Sequence, residues 1–102
     1  MHLIQILLPL FDNEGASIPQ LHFRRVSQEL ADQFGGLTAF TRAPAEGQWK
    51  DELAGITHDE IVVFEVMAEA LDRPWWANYR QELERRFRQA VIVVRAQDIE
   101  QL

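Results

Sequence analysis

One pattern of apolar residues occurs twice in this chain, and the two copies lie 53 residues apart. In each copy, large apolar residues fall at positions 0, +3, +7 and +11, which is the spacing of one face of an α-helix. Segments rich in β-branched and aromatic residues precede and follow each helix, so the order of elements is βαββαβ. The first stripe is Phe23, Val26, Leu30 and Phe34, and the second is Trp76, Tyr79, Leu83 and Phe87.

Two similar split βαβ halves are the arrangement of a ferredoxin-like sandwich. We therefore predict an α+β fold in which a four-stranded antiparallel sheet carries both helices on one face, with strands one and three at the centre and strands two and four at the edges. With 102 residues, the chain has enough length for one core. We expect residues 1–102 to form a single ferredoxin-like domain.

Caps and breakers set the expected element boundaries. Ser17 is placed to cap the first helix, Gly35-Gly36 to end it, and Asp72 to cap the second helix. The segment 43–59 is too long for a tight turn and too apolar around Trp49 for a loose linker, so it predicts an extended hairpin arm. The predicted strands are 3–11, 37–42, 60–69 and 90–95, and the first helix is 18–34.

Glu65 is a carboxylate in the middle of the apolar strand IVVFEVMA, at residues 61 to 68. Alternation divides the side chains of a strand between the two faces of the sheet. Because a charge should avoid the face that the helices cover, we expect Glu65 on the other face, here called the open face. The residues expected against the helices are Ile4, Ile6, Leu8, Val62, Phe64, Val66, Ile92 and Val94. Those expected on the open face are Leu3, Gln5, Leu7, Thr38, Phe40, Arg42, Ile61, Val63, Glu65, Met67, Val91, Val93 and Arg95.

A mostly apolar open face requires a cover, because monomers rarely expose a contiguous apolar patch of this size. One explanation is a homodimer that packs sheet to sheet. The other is a small-molecule pocket, alone or enclosed within that dimer, with Gln5, Glu65 and an arginine as polar anchors. An unpartnered buried glutamate would tend to be protonated and suit a general acid or base, whereas an ion pair with Arg42 or Arg95 would be structural.

Composition excludes several classes of function. The net charge of −6 argues against nucleic acid as a partner, and the absence of cysteine removes disulfides, thiol catalysis and thiolate metal sites. The apolar start, residues 3–11, is too short to span a membrane and lacks a basic leader. We expect a cytoplasmic protein with no cofactor, no metal, no nucleic acid and no membrane contact.

Two further residues are candidates for chemistry or contact. His58 lies beside two acidic residues, but no second histidine lies at ligand spacing, so a surface strand start is the simpler interpretation. Trp49 on the arm suggests contact with another subunit. The full set of candidate pocket or interface residues is Gln5, Phe40, Arg42, Trp49, His58, Val63, Glu65, Met67 and Arg95.

The stretch GGLTAFTRAPAEGQWKD, residues 35 to 51, resembles a small uncharacterised bacterial family. In that family a helix ends in Gly-Gly, a Leu-Thr strand follows, and a Gly-Gln-Trp hairpin arm leads into a hydrophobic strand; RRFRQ before VIVV is also similar. The resemblance implies a ferredoxin-like domain of the dimeric α/β-barrel kind with no established activity. This sequence differs by inserting Ala43 to Glu46 before Gly47.

The resemblance also favours a hairpin that turns within residues 51 to 55. That register sets Trp49 opposite His58 and Arg42 opposite Glu65, which makes an ion pair. A tighter register sets Arg42 near Glu60 and leaves Glu65 opposite Leu37, with no such pair.

The sequence thus predicts an uncharacterised dimeric domain with a role in assembly or small-ligand binding. The alternative is a cofactor-free enzyme, monooxygenase- or isomerase-like, with its pocket on the open face. This alternative depends on fold analogy alone.

Overall fold

Both helices pack on one face of a four-stranded antiparallel sheet, as predicted for a ferredoxin-like α+β fold. The computed structural model describes the backbone of residues 1–51 and 55–102 and the side chains of 1–39 and 61–102. The strand order is β2-β3-β1-β4, with β1 and β3 central. The elements are β1 (His2–Pro9), α1 (Gln20–Phe34), β2 (Thr38–Asp51), β3 (Gly55–Ala68), α2 (Arg73–Arg86) and β4 (Val93–Asp98).

The core lies between the sheet and the two helices. The strand residues that alternation predicted to face the helices do form part of it. Seven of the eight predicted inward residues are at most 5% exposed, while Val94 is half-buried and packs against the same core. Full burial of each such side chain contributes roughly 1.5 to 3 kcal/mol. From the helices, the core takes Phe23, Val26, Leu30, Trp76, Leu83 and Phe87.

The helix ends agree with the predicted caps at two positions and differ at one. Gly35 ends α1 in the left-handed conformation, with φ of 81°, and the Asp72 side chain accepts a hydrogen bond of 3.1 Å from the Trp75 backbone N–H. Ser17 does not cap α1, which begins at Gln20 after Pro19. The residue before a proline is disfavoured in the helical region. Pro19 is itself extended, with ψ of 143°, and the Ile18 N–H donates to the Leu10 carbonyl.

Strand β4 begins three residues later than the predicted strand 90–95. A turn follows α2 and delays the start of the strand. In this turn Arg88 has a positive φ of 52°, and the Gln89 N–H donates to the Glu84 carbonyl. The Glu84 carboxylate then accepts a hydrogen bond of 2.9 Å from the Ile92 N–H. The side chain of Glu84 therefore pairs with this turn and with Arg80.

The predicted hairpin arm is the outer part of β2 and β3. Between the pairs Phe40–Val63 and Ala45–Ile61, four residues of β2 lie opposite a single residue of β3, which is a large bulge. Beyond it, residues 46–51 pair with residues 55–60 as a two-stranded ribbon, because β1 pairs with β3 only from Ile61 onwards.

The backbone register overturns the predicted pairing of Arg42 with Glu65. Thr38 lies opposite Glu65, and Trp49 lies opposite Thr57 rather than His58. The tighter alternative, with Leu37 opposite Glu65, is wrong by one residue. The pairing of Arg42 with Glu65 fails because that register did not allow for the bulge, which contains Pro44, a residue with no N–H to donate to a ladder.

Arg86 joins the two helices. Its guanidinium donates two hydrogen bonds to Glu29 on α1, at 2.6 and 2.8 Å, and a third of 3.0 Å to Glu82 on its own helix. Tyr79 also donates to Glu29, at 3.0 Å. Arginines interleaved with glutamates along α2 are typical of a solvated face, but the side chain of Arg86 is only 9% exposed. The fork of arginine and the paired oxygens of a carboxylate match each other geometrically.

We predict that Arg86→Gln lowers the free energy of unfolding by about 2 to 3 kcal/mol, because Glu29 loses a charged hydrogen-bond partner in a half-buried position. Arg85→Gln is the matched control, since Arg85 also contacts Glu82 but its side chain is 74% exposed. The control should lie within about 0.5 kcal/mol of the wild type. Urea denaturation measures both, and equal effects of the two substitutions would contradict the interhelical role.

The same pair predicts acid sensitivity. Hydrogen bonding from Arg86 lowers the pKa of Glu29, and Arg85 and then Arg86 lower the pKa of Glu82 to about 2. A carboxylate with a depressed folded-state pKa stabilises the fold above its unfolded pKa of about 4.3 and loses that contribution as the pH falls through the folded value. Unfolding measured from pH 5 downwards should therefore show a shallower loss of stability in Arg86→Gln than in the wild type; parallel profiles would contradict this.

Candidate functional site

Three polar side chains form a continuous row across the open face. The strand registers set Gln5 on β1 directly between Glu65 on β3 and Arg95 on β4. The Gln5 amide nitrogen donates to a Glu65 carboxylate oxygen at 2.6 Å, and the Arg95 Nε–H donates to the Gln5 amide oxygen at 2.8 Å. These three residues are called the polar row below.

The polar row fixes the orientation of the Gln5 amide, because its oxygen and its nitrogen each have a different partner. Gln5 and Glu65 are half-buried, whereas Arg95 is exposed. Arginine and glutamate are therefore connected through an amide rather than in direct contact. The Glu65 carboxylate keeps its second oxygen outside this chain of hydrogen bonds.

A hollow of about 370 Å³ adjoins Glu65 at the end of the sheet where α1 terminates. We call it the Glu65 hollow. Strand residues on one side and the α1–β2 connection on the other form its wall. Its lining is Leu3, Phe34, Gly35, Gly36, Leu37, Thr38, Glu65, Val66 and Met67.

A second hollow, of about 380 Å³, lies on the other side of Leu3 and contains the opposite end of the polar row. We call it the Arg95 hollow; its lining is Leu3, Gln5, Arg95, Ala96 and Gln97. The polar row therefore runs between two hollows, one with a carboxylate and one with a guanidinium. A small set of placed polar groups in an otherwise apolar surface is typical of a small-molecule site.

Apart from Thr38 and Gln97, the rest of the described open face is apolar. Met67 and Val93 are each 46% exposed, and Leu3, Leu7 and Val63 are half-buried. Neighbouring strands bring these side chains together, since Leu7 lies between Val63 and Val93. Within the part of the chain whose side chains are described, no element packs over this surface.

The structure brings together only some of the candidate residues. Gln5, Glu65 and Arg95 form the polar row, and Met67 lines the Glu65 hollow, whereas Val63 lies in the apolar part of the face. The side chains of Phe40, Arg42, Trp49 and His58 lie outside the described residues.

The sequence interpretation missed the contribution of the α1–β2 connection to a hollow. Gly35-Gly36 was assigned only to the end of a helix, and Phe34 only to the core stripe. Phe34 is in fact half-buried, stacked on Trp76 with ring centroids 5.2 Å apart and edge-on to Trp75 at 5.3 Å. A Gly-Gly pair between a helix and an edge strand was the available signal, since glycine permits the left-handed turn that Gly35 makes at this connection.

No protein-family model matches the chain, and no curated protein sequence matches it significantly. The resemblance to a bacterial family at residues 35–51 therefore stays a prediction. In the described residues, no helix is long and apolar enough to cross a membrane.

Solved structures do resemble this one. A phage SAM lyase in complex with S-methyl-5′-thioadenosine is similar over 95% of this chain and 80% of its own, with a TM-score of 0.58 and 15% identity. The divalent cation tolerance protein CutA1 from Thermus thermophilus is similar over 99% of this chain and 86% of its own, with a TM-score of 0.62 and 10% identity. CutA1 from Pyrococcus horikoshii is similar over 100% of this chain and 86% of its own, with a TM-score of 0.60 and 10% identity. At sequence identities this low, the structural similarity shows a shared fold and nothing beyond it.

The geometry of the polar row predicts energetic coupling between Gln5 and Glu65. In a double-mutant cycle of Gln5→Met and Glu65→Met, we expect a coupling of about 1 kcal/mol in the free energy of unfolding, because either single change already removes their hydrogen bond. Denaturant unfolding of the four proteins measures it.

Gln97→Met in place of Gln5→Met gives the matched control cycle. Gln97 lies on the same face but on the edge strand, two strands away from Glu65. This cycle should be additive. Additivity in both cycles would exclude the Gln5–Glu65 bond as a stabilising contact.

Proposed function

We propose that this protein is a small-ligand-binding domain that forms a homodimer through its open faces and encloses its ligand site beside the polar row. The observation that carries the proposal is the polar row itself. It is an ordered arginine–glutamine–glutamate arrangement on an apolar surface that no described element covers. An ordinary solvated face would not combine apolar neighbours with an oriented polar centre.

The apolar part of the open face supports the dimeric half of the proposal. Met67 and Val93 expose nearly half of their surface, and Leu3, Leu7 and Val63 join them in one patch. A two-fold axis would pair this patch with itself, because isologous contacts use the same surface on both subunits.

The ribbon formed by residues 46–51 and 55–60 supports the same conclusion. Two-stranded hairpins are marginally stable in water unless another element packs against them. Within the described backbone, β1 gives this ribbon no third strand. A second subunit is a natural source of that contact, in agreement with the role expected of Trp49.

The two hollows support the ligand-binding half. Each has a volume within the range of about 300 to 1,000 Å³ typical of small-molecule sites, and each contains one end of the polar row. A phage SAM lyase with this fold has been solved with S-methyl-5′-thioadenosine bound. That ligand is therefore a reasonable first probe.

We predict a solution mass of twice the 11.9 kDa chain mass by light scattering at micromolar concentration. Val93→Lys should shift the mass towards the monomer, because it sets a charge in the apolar part of the open face. Leu21→Lys is the control, since Leu21 is 70% exposed on α1, away from this face. A monomeric wild type would refute the dimer, and equal effects of the two variants would refute its placement on the open face.

Amide NMR spectra test the ligand site. On titration with S-methyl-5′-thioadenosine or members of a fragment library, we expect saturable shifts at residues 3, 5, 65, 67 and 95. Saturable binding whose shifts map to the helices, or no saturable binding by any compound, would refute a ligand site on the open face. The mass measurement is independent, so the two halves of the proposal fail separately.

A further inference from the structure

Glu65 is the only charged side chain in the lining of the Glu65 hollow, as far as the described residues extend. The other side chains there are apolar, apart from the hydroxyl of Thr38. A carboxylate beside apolar walls is poorly solvated compared with one in water, so an opposite charge that reaches it interacts more strongly than at an open surface. The hollow thus has an electrostatic preference as well as a volume.

The end of α1 adds to the same sign of potential. The helix terminates at Phe34, and its last turn has no basic residue. The carbonyl end of a helix has a partial negative charge, which a cation stabilises. Two independent features of the fold therefore make the hollow electronegative.

Arg95 does not contact Glu65 directly. The two side chains lie on opposite sides of β1 and are joined only through the Gln5 amide. Arg95 is exposed to solvent, where water and salt screen its charge more strongly than they screen a buried charge. Its hydrogen bond goes to Gln5, which in turn orients one Glu65 oxygen and leaves the other for a further donor.

The walls favour an organic cation over a metal ion. Leu3, Leu37 and Met67 offer no oxygen ligand, and Phe34 is an aromatic wall held in place by Trp75 and Trp76. In the described part of the chain, no group of three or more acidic or histidine side chains is arranged to hold a metal. Aromatic and thioether side chains contact the alkyl groups of a cation favourably.

We infer that the Glu65 hollow binds a small organic cation, an ammonium group with an apolar body, whose charged head donates to Glu65. This inference rests on the proposed ligand-binding function and specifies the chemistry of its ligand. Gln5 acts as a positioning residue, because it holds the carboxylate oriented. The polar end of the ligand lies at the polar row, and its body lies against Phe34, Leu37 and Met67.

A charge series on the unmodified protein tests the inference. Phenethylammonium, phenethyl alcohol and phenylacetate have similar shapes and differ in charge. In amide NMR titrations at neutral pH, we expect phenethylammonium to shift Gly35, Gly36 and Met67 saturably, with the alcohol roughly tenfold weaker, as one charged hydrogen bond would give. Phenylacetate should not shift these amides.

Glu65→Gln is the matching variant, because glutamine keeps an oxygen that can accept from Gln5. It should weaken phenethylammonium binding roughly tenfold and leave the alcohol unchanged. Glu14→Gln is the control: it makes the same change of charge on an exposed turn at the other end of β1, and should change neither affinity.

Three results would overturn the inference. Equal affinities for all three probes at these amides would leave a ligand site without charge selection, so the proposed function would survive. Equal losses of phenethylammonium affinity in Glu65→Gln and Glu14→Gln would show that only the net charge of the protein matters. The third result is that phenethylammonium fails to bind while Glu65→Gln shifts the solution mass towards that of the monomer. That result would mean that a basic side chain of the second copy fills the hollow.

Discussion

Two helices cover only one face of a four-stranded sheet, and every functional feature of this molecule follows from that constraint. The chain orders its core by alternation, with Ile4, Phe64 and Val66 turned towards the helices. The same alternation unavoidably turns Gln5, Glu65 and Met67 the other way. The sheet therefore has a second, mostly apolar face that the helices leave uncovered. The polar row lies in the middle of that face.

Sequence reasoning succeeded where the signal was periodic and local. The two helical stripes, the inward strand residues, and the caps at Gly35 and Asp72 depend on spacing of a few residues, and the fold follows from their order. The grouping of Gln5, Glu65 and Arg95 was also accessible, because topology and alternation together place them on one face. Pattern alone did not reveal that Gln5 would stand between the two charges.

Reasoning failed where the outcome depended on long-range geometry. The pairing of Arg42 with Glu65 required a register that the bulge between Phe40 and Ala45 changes, and no short-range pattern encodes the size of a bulge. Arg86 resembled a surface residue because its partner Glu29 lies 57 positions away. The Glu65 hollow arises from the end of α1 meeting the sheet, which is likewise a tertiary result.

The functional account joins these features into one physical statement: an apolar face with an oriented carboxylate is suited to a second copy of the chain and to a small cationic ligand. The structural neighbours share the fold at identities of 10 to 15% and leave the chemistry to this chain's own residues. The enzyme-like alternative remains a prediction from fold analogy. The proposal differs from a solvated-face interpretation in one respect: it requires the open face to be covered in solution.

Methyl NMR with a soluble paramagnetic probe measures that cover directly. The account predicts that the Met67 methyl group is protected from the probe almost as well as the core methyl groups of Val66, although Met67 is 46% exposed in the single chain. Leu21, on the outer side of α1, serves as the exposed reference. Attenuation of Met67 to the same degree as Leu21 would show that the open face is free in solution and would contradict the account.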